Sequence, residues 1–299
     1  MNRALGLVTL CWCALSAQET ATTAPSNQAF SRRAVIRQEA GFASIFANDP
    51  SPLRQAIFEV RLKYGWMVDF EEAPVTGIAD LVDNSAPQWR ASHPSEKGYW
   101  IPKGGPFSST FSTDLDSLQD SSGEEAALAR LVADYNASGN PGRYILRKEG
   151  NHRFALVGEY QAGGKGAGAK ASPILDTEIT FPRSRRSTRD TIDLVLREVS
   201  AANGTTVVLT SCPENLFART EVEAGGSRVA ARELLLEALA PTGRPFIWVM
   251  PFDSNDGTYF MTIELASKSS IDQFGRERLC PVDRPQRCAA PAERVKGVK

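Results

Sequence analysis

Histidine is scarce in this sequence, and catalytic motifs built on it are lacking. Among 299 residues there are only two histidines, His93 and His152. Neither belongs to a His-Glu-x-x-His pattern, which places two zinc ligands on one face of a helix. No Gly-x-Ser-x-Gly sequence marks a nucleophile elbow. We therefore expect no catalytic residue, no metal site and no cofactor, and the sequence leans away from an enzyme.

The chain also lacks an excess of charge of one sign. It carries 34 Lys and Arg against 35 Asp and Glu, so no overall field draws it onto phosphate backbones. This balance disfavours nucleic-acid binding. With 42% hydrophobic and 23% charged residues, the composition is that of a globular protein, and the length suits two domains.

Long apolar runs are missing after the first residues. Arg3 precedes an apolar run over residues 4–15. As a helix this run would cover roughly 18 Å, which is short of a bilayer core of about 30 Å. The pattern predicts a cleaved signal peptide over residues 1–17. We expect a periplasmic or secreted protein with no integral membrane segment after cleavage.

Cysteine is sparse, with five residues in the chain. Cys11 and Cys13 lie in the predicted signal peptide and would leave with it. Cys280 and Cys288 flank a short proline-containing segment, and we predict a disulfide between them in an oxidising compartment. Cys212 is then left as a free thiol, which more often fills a core than attacks a substrate.

Two segments show no clear pattern of helix or strand. Residues 18–50 are polar, with weak helical character over 33–46, and we interpret them as a leader segment. The stretch 267–299 is charged and rich in proline. We expect it to form an irregular tail.

Between these segments, one spacing of apolar residues and glycines occurs twice. The first series recurs at a constant offset of 139: Glu59-Val60, Gly65 and Val68, then Glu198-Val199, Gly204 and Val207. Another recurs at an offset of 104: Ala126, Ala127, Leu131 and Gly139, then Ala230, Ala231, Leu235 and Gly243. Helical spacing before each glycine and β-branched or alternating residues after the first glycine predict a helix, a strand and a second helix.

A hairpin pattern follows each second helix. The strands are predicted over 144–147 with 153–160, and over 246–250 with 259–265; the intervening residues tolerate positive φ. The predicted fold class is therefore α+β, with two small repeated units over 51–162 and 188–266. Each unit is predicted to contain a helix, a strand, a second helix and a hairpin, in that order. Ser51 and Pro52 suit the cap and first turn of the first helix.

The first unit carries an insert over residues 75–121, because the two offsets differ by 35 residues. The insert is rich in aromatic residues for a loop: Trp89, His93, Tyr99, Trp100 and Phe107. Long loops of this composition often carry function, although they also fold back over a core. We keep both alternatives, a packed flap and a recognition surface that includes Trp89, Tyr99, Trp100 and Phe107.

A linker over residues 163–187 separates the two units. Its glycines, with Lys165, differ from a phosphate-binding loop because Gly166 stands where that loop needs Ser or Thr, so we interpret them as flexible. The linker and the start of the next helix contain the one basic cluster of the chain: Arg183, Arg185, Arg186 and Arg189. A solvated linker end is one interpretation, and a docking surface for acidic groups is the other.

Three carboxylates, Asp69, Glu71 and Glu72, lie at the end of the first predicted strand and could supply a catalytic pair. Two carboxylates in a cleft are sufficient for glycoside hydrolysis. Acidic residues that leave a strand are usually solvated, however. We expect these three to be solvated.

The residues over 191–265, and less clearly 53–160, resemble the short domain found at the N-termini of secretins and TonB-dependent receptors. The resemblance lies in the helix that ends at Asn203-Gly204, the short strand 207–209, and the Ala-Ala-x-x-Leu-Leu-x-x-Ala-Leu helix over 230–239 before a terminal hairpin. It implies a non-catalytic module for protein contacts in the periplasm. No receptor plug, barrel or secretin channel domain accompanies the two units, so no partner is named.

The resemblance favours a non-catalytic protein–protein interaction or assembly module of the cell envelope. In this mode partner strands add to a hairpin edge, through backbone groups alone. The main alternative is a secreted protein that binds or cleaves carbohydrate with its aromatic insert. A structural subunit that associates with itself is a third hypothesis.

Overall fold

The computed structural model describes residues 34–113, 120–161, 170–171, 173–271 and 276–283. The predicted signal peptide, the glycine-rich stretch of the linker and Cys288 lie outside these residues. Helices and strands alternate through the described part, which gives the α+β class that the sequence predicts. No helix in the described part is long and apolar enough to cross a membrane.

The described residues before the linker contain the following elements. In chain order they are β1 (Val35–Glu39), β2 (Phe42–Asn48), α1 (Pro52–Tyr64), β3 (Met67–Glu71), β4 (Leu81–Asp83), α2 (Pro87–Ser92), β5 (Trp100–Pro102), β6 (Pro106–Ser112), α3 (Ser121–Ala137), β7 (Arg143–Gly150), β8 (Arg153–Gln161) and β9 (Lys170–Ala171). We call residues 51–162 the first half.

The remaining described residues begin with a single 3₁₀ turn, Ile174–Asp176. After it come β10 (Glu178–Ser187), α4 (Thr188–Asn203), β11 (Thr206–Ser211), α5 (Glu214–Arg219), β12 (Glu221–Ala230), α6 (Ala231–Leu239), β13 (Phe246–Met250), β14 (Phe252–Asp253), β15 (Thr258–Leu265), β16 (Ser267–Ile271) and β17 (Glu277–Pro281). We call residues 188–266 the second half.

Helix ends follow the glycine signals, whereas one predicted cap is wrong. Gly65 and Gly204 end α1 and α4 with φ of 79° and 67°, a conformation that suits glycine. Ser187 caps α4, because its Oγ accepts the N–H of Asp190 at 3.0 Å. Ser51 does not cap α1 with its side chain; its hydroxyl donates to Glu72 instead.

One mixed sheet runs through both halves. Its strand order is β11-β15-β13-β3-β8-β7, and the short strands β14 and β9 attach to β15 and β8. Strands of the second half therefore occupy one side of the sheet and strands of the first half the other. The halves meet where β13 pairs in parallel with β3, with Val249 opposite Phe70.

The strand pairings inside the two halves follow the same scheme. β3 lies parallel to β8, which is antiparallel to β7. Likewise β11 lies parallel to β15, which is antiparallel to β13. The registers correspond too, because Val68 pairs with Phe154 and Val207 pairs with Tyr259.

Each half has its own hydrophobic core, on opposite faces of the sheet. Phe70 and its neighbour Val249 pack with residues of α1 and α3. Trp248 and Met250 pack with residues of α4 and α6. Since successive residues of a strand point to opposite faces, the helices of the first half cover one face and those of the second half cover the other.

The predicted leader segment is partly a β-hairpin, not a weak helix. β1 and β2 pair antiparallel, and β2 pairs with β6 of the insert. Ala43, Ile45 and Ala47 of β2 are buried while Phe42 and Phe46 are exposed. This alternation with a period of two indicates a strand, and the polar composition of the whole segment concealed it.

The linker and the tail also contain more regular structure than their composition indicated. β10 lies within the predicted linker and pairs antiparallel with β12. β16 and β17 form a hairpin within the predicted irregular tail. The partner of β10 lies beyond α4 and β11 in the chain, so no local pattern revealed it. The hairpin β16–β17 is local, and the charged, proline-rich composition of the tail concealed it.

Candidate functional site

The boundary between the halves contains buried ion pairs. Asp69 of β3 is completely buried, and its Oδ2 accepts a hydrogen bond from Nη2 of Arg153 at 2.7 Å. The other oxygen, Oδ1, accepts the backbone N–H of Trp248 at 2.9 Å. Asp69 therefore links the first half to the second through its side chain.

Glu71 makes a second link of the same kind. Its Oε1 lies 2.7 Å from Nη1 of Arg232 and accepts the indole N–H of Trp248 at 3.2 Å. Arg232 is also 3.0 Å from Glu149 of β7. The guanidinium of Arg153 lies 5.1 Å from the centre of the Trp248 ring, which adds a cation–π contact to the cluster.

The expectation that Asp69, Glu71 and Glu72 are solvated is wrong, since all three are buried. Asp69 and Glu71 point to the face of the sheet that α6 covers. The pattern of a single strand does not show which helix packs on it, so their burial was not predicted. Burial raises the pKa of both carboxyls, and their arginine partners act in the opposite direction. Glu72 accepts hydrogen bonds from Ser51, Arg54 and the backbone N–H of Phe252. These contacts give the carboxylates a structural role at the boundary.

The aromatic residues of the insert do not form one surface. Phe107 is 1% exposed and packs against Tyr135 with ring centres 5.6 Å apart, so it belongs to the core and not to a recognition surface. Trp100 is half-buried, and Asn255 of the second half accepts its N–H and donates to its C=O. Trp89 stacks on His93 with ring centres 4.9 Å apart.

Tyr99 is the predicted aromatic residue with the greatest exposure, at 55%. It lines an open groove of about 610 Å³ together with Trp89, Asn84, Asn255 and Asp256. The groove combines an exposed phenol ring with the side-chain amide of Asn84 and the carboxylate of Asp256, whereas the amide of Asn255 is hydrogen-bonded to Trp100 and Asp253. Such a set can stack on a flat apolar face and make hydrogen bonds to hydroxyl groups.

The basic cluster is engaged with acidic side chains and backbone carbonyls. Arg183 lies 2.6 Å from Glu237, Arg185 pairs with Glu221, and Arg189 pairs with Asp193 and Glu214. Arg186 donates to the carbonyl of Pro182 at 3.0 Å and lies over the ring of Phe181. The cluster therefore straddles β10 and α4 as part of their packing, which weakens the interpretation as an acid-binding surface.

The two cysteines of the described part, Cys212 and Cys280, differ in their state. Cys280 is disulfide-bonded, and its predicted partner Cys288 lies outside the described residues. Cys212 is a half-buried free thiol, and burial raises its pKa. Within the described ranges no group of three or more His, Cys, Asp or Glu side chains is placed to hold a metal ion.

The two outer strands of the sheet differ in their charge. β11, with the sequence Thr-Val-Val-Leu-Thr-Ser, has neither a charge nor a proline, and Val208 is 40% exposed. β7 carries Arg143, Arg147 and Lys148. Among the described residues no strand pairs with the outer side of either. Charge and proline usually protect such edges from other chains, so β11 is an unprotected edge.

The predicted docking edge in the second hairpin is not free. β13 lies between β15 and β3 in the middle of the sheet. No local pattern indicated this position, because the pairing strand β3 comes from the first half. β11 was predicted as a strand, but only the sheet order identifies it as an edge.

In comparisons with known proteins, no family model, no curated protein and no solved structure matches this chain.

Proposed function

We propose that the protein is an exported, non-catalytic interaction module of the cell envelope that binds a partner by extending its sheet at β11. The observation that carries this proposal is the unprotected outer edge of β11, which has no charge and no proline. A strand edge offers N–H and C=O groups in a row, so an extended segment can pair with it without special side chains.

We further propose that the two halves are diverged copies of one unit. The matching series of residues at offsets of 139 and 104 and the common scheme of strand pairing support this. The resemblance to the short N-terminal domain of secretins and TonB-dependent receptors agrees with a contact module. The apolar run before residue 17 supports export to the periplasm or the medium.

The absence of catalytic signals in the sequence agrees with a binding role. The buried carboxylates that came nearest to a catalytic pair are held by arginines, backbone or indole donors. Their contacts fix the halves against each other. A rigid sheet then presents β11 to a partner in one conformation, which lowers the entropy cost of binding.

The substitution Val208→Lys tests the proposal directly. Val208 is exposed, and a lysine on an edge strand disfavours pairing with another strand. In pull-downs from an envelope fraction, we expect recovery of a defined partner to fall at least about tenfold, a loss of roughly 1.4 kcal/mol of binding free energy.

Val82→Lys is the matched control. Val82 lies in β4 of the insert and is 42% exposed, against 40% for Val208, so both variants add one lysine at a similar exposed valine. The control is expected to retain the partner. Equal recovery by the wild type and both variants would exclude β11 as the binding edge.

A second candidate is carbohydrate binding, which the groove around Tyr99 favours. Exposed aromatic rings stack on the apolar faces of sugars, and Asn84 and Asp256 supply hydrogen-bonding groups beside the ring. On a glycan array we expect Tyr99→Ala to abolish any specific signal, with Tyr64→Ala outside the groove as the control. A wild type that binds no glycan on the array would remove this candidate.

A further inference from the structure

The geometry points to a second copy of this chain as the partner that pairs with β11, through the β7 edge of that copy. This inference rests on the proposed role of β11 and names its occupant. At the internal boundary, β13 and β3 already show how two such edges join.

The strands that join inside the chain correspond to the strands that end the sheet. β13 is the first hairpin strand of the second half, and β7 is the first hairpin strand of the first half. β3 and β11 are the strands that follow the first helix of each half. The outer strand β7 therefore corresponds to β13, and the outer strand β11 corresponds to β3, so the two outer strands are equivalent to the two strands that pair at the centre of the sheet.

Strand directions agree with this continuation. β13 runs parallel to β3. β7 runs opposite to β3, because β7 is antiparallel to β8 and β8 is parallel to β3. β11 runs opposite to β13, because β11 is parallel to β15 and β15 is antiparallel to β13. A second copy in the same orientation thus brings its β7 parallel to β11. The alternation of helices between the two faces continues across the contact.

The correspondence also gives a register for the contact. Inside the chain Val249 lies opposite Phe70, and Met250 lies opposite Glu71. The offset of 104 relates the β13 residues to Ile145 and Leu146 of β7, and the offset of 139 relates the β3 residues to Leu209 and Thr210 of β11. The expected pairs are therefore Ile145 opposite Leu209 and Leu146 opposite Thr210. Both pairs lack charge. Arg143, Arg147 and Lys148 of β7 pair with carboxylates of their own chain, and β11 carries no charge, so no like charges face each other across the new contact.

The residues that hold the internal boundary differ from those at the outer edges in a consistent way. Val208 stands in β11 where β3 has Asp69, and Leu128 stands in α3 where α6 has Arg232. The internal contact uses buried ion pairs, whereas the outer contact would use apolar side chains. Val208, 40% exposed in the single chain, would be covered by the neighbour.

Such a contact joins different surfaces of the two copies, so it does not stop at a dimer. A heterologous contact forms a ring if its rotation closes and an open chain if it does not. Each added copy presents a new β11 edge at one end and a new β7 edge at the other. Association is therefore expected to depend on concentration and to extend beyond two copies.

Disulfide trapping tests the register. In a Cys212→Ser background, Ile145→Cys and Leu209→Cys would be neighbours between copies, at about the 5.5–6 Å Cα separation that a disulfide spans. Within one chain, β7 and β11 are separated by five strand spacings, about 24 Å, so a bond inside one chain is excluded. Oxidation of the purified full-length double variant is expected to give a ladder of dimers, trimers and longer species on a non-reducing gel.

The single variants show whether the contact is heterologous. Ile145→Cys alone and Leu209→Cys alone are expected to stay monomeric on oxidation, and their mixture is expected to give a dimer. Arg143→Cys with Leu209→Cys is out of register by two residues and is expected to give at least about tenfold less product. Val208→Lys added to the double variant should remove the ladder.

The failures are distinguishable. Dimers from either single variant alone would show that identical edges pair, which overturns this inference. An absent ladder, combined with an envelope partner that Val208→Lys still loses, would overturn the inference and leave the proposed function standing. An absent ladder with no effect of Val208→Lys on any partner would overturn both.

Discussion

Arg232→Met is expected to lower the free energy of unfolding by about 3–5 kcal/mol. The side chain of Arg232 is 8% exposed and lies 2.7 Å from Glu71 and 3.0 Å from Glu149. Methionine keeps most of the length but removes the charge, so Glu71 loses its cationic partner and Glu149 keeps only Arg153, at 3.7 Å. A buried charge without a partner costs several kcal/mol. Urea unfolding followed by circular dichroism measures the change.

Arg185→Met is the matched control for this experiment. Arg185 also pairs with a glutamate, Glu221, but its side chain is 74% exposed. Exposed pairs contribute about 0–1 kcal/mol, because water solvates both charges. A loss in Arg232→Met no larger than in this control would show that the buried pairs do not hold the halves together.

The loss in Arg232→Met is also expected to grow with pH. Burial already raises the pKa of Glu71, and removal of its arginine raises it further, above the value of about 4.3 that Glu has when unfolded. A folded state that holds its proton more tightly than the unfolded state loses stability as pH rises through that window. The difference from wild type should therefore be larger at pH 8 than at pH 5; a difference that shrinks with rising pH would contradict the assignment.

Gly158→Ala is the second change with a large expected effect, a loss of about 1–3 kcal/mol. Gly158 is a buried residue of β8, and a Cβ there would lie 2.3 Å from Cα and 2.5 Å from N of Ala73. Backbone that close must move. Ala73 follows β3 and Glu72, so the movement would reach the hydrogen bonds of Glu72. Thermal and urea unfolding measure the loss.

Gly105→Ala provides the comparison. A Cβ at Gly105 would lie 3.9 Å from its nearest neighbour, the Oδ1 of Asn140, which is ordinary contact. An alanine that fits without strain is neutral or stabilises by a few tenths to about 1 kcal/mol, since it restricts the unfolded chain. Equal effects of the two substitutions would mean that the close approach to Ala73 is not a constraint.

Local patterns predicted most of the elements in the two halves. The glycine stops at Gly65 and Gly204 end helices in the structure, and the turns around residues 150–151 and 255–257 join hairpin strands. These features depend on neighbours in sequence, so spacing and turn chemistry are sufficient to find them. β10 was not predicted because its partner β12 lies beyond α4 and β11 in the chain. The hairpins β1–β2 and β16–β17 are local, and they were missed because the overall composition of their segments concealed the strand pattern.

For the candidate site the sequence supplied the residues but not their surroundings. Asp69 and Glu71 were recognised as carboxylates after a strand, and their burial was missed because the covering helix α6 and Trp248 come from the other half. Phe107 was predicted to belong to a recognition surface, but in the structure α3 covers it. The sequence predicts β11 as a strand, but nothing in its local pattern shows that it lies at the edge of the sheet.

The sequence by itself determined where the main helices, strands and turns of the two halves form, because those depend on backbone preference and on the period of apolar residues. Tertiary structure alone decided which strands lie at the centre of the sheet, which charges are buried and which strands form the two outer edges of the described sheet. The reason is physical: the backbone groups of β3 and β13 pair across about 180 residues, and such pairing depends on the mutual burial of two cores that no local window of sequence contains.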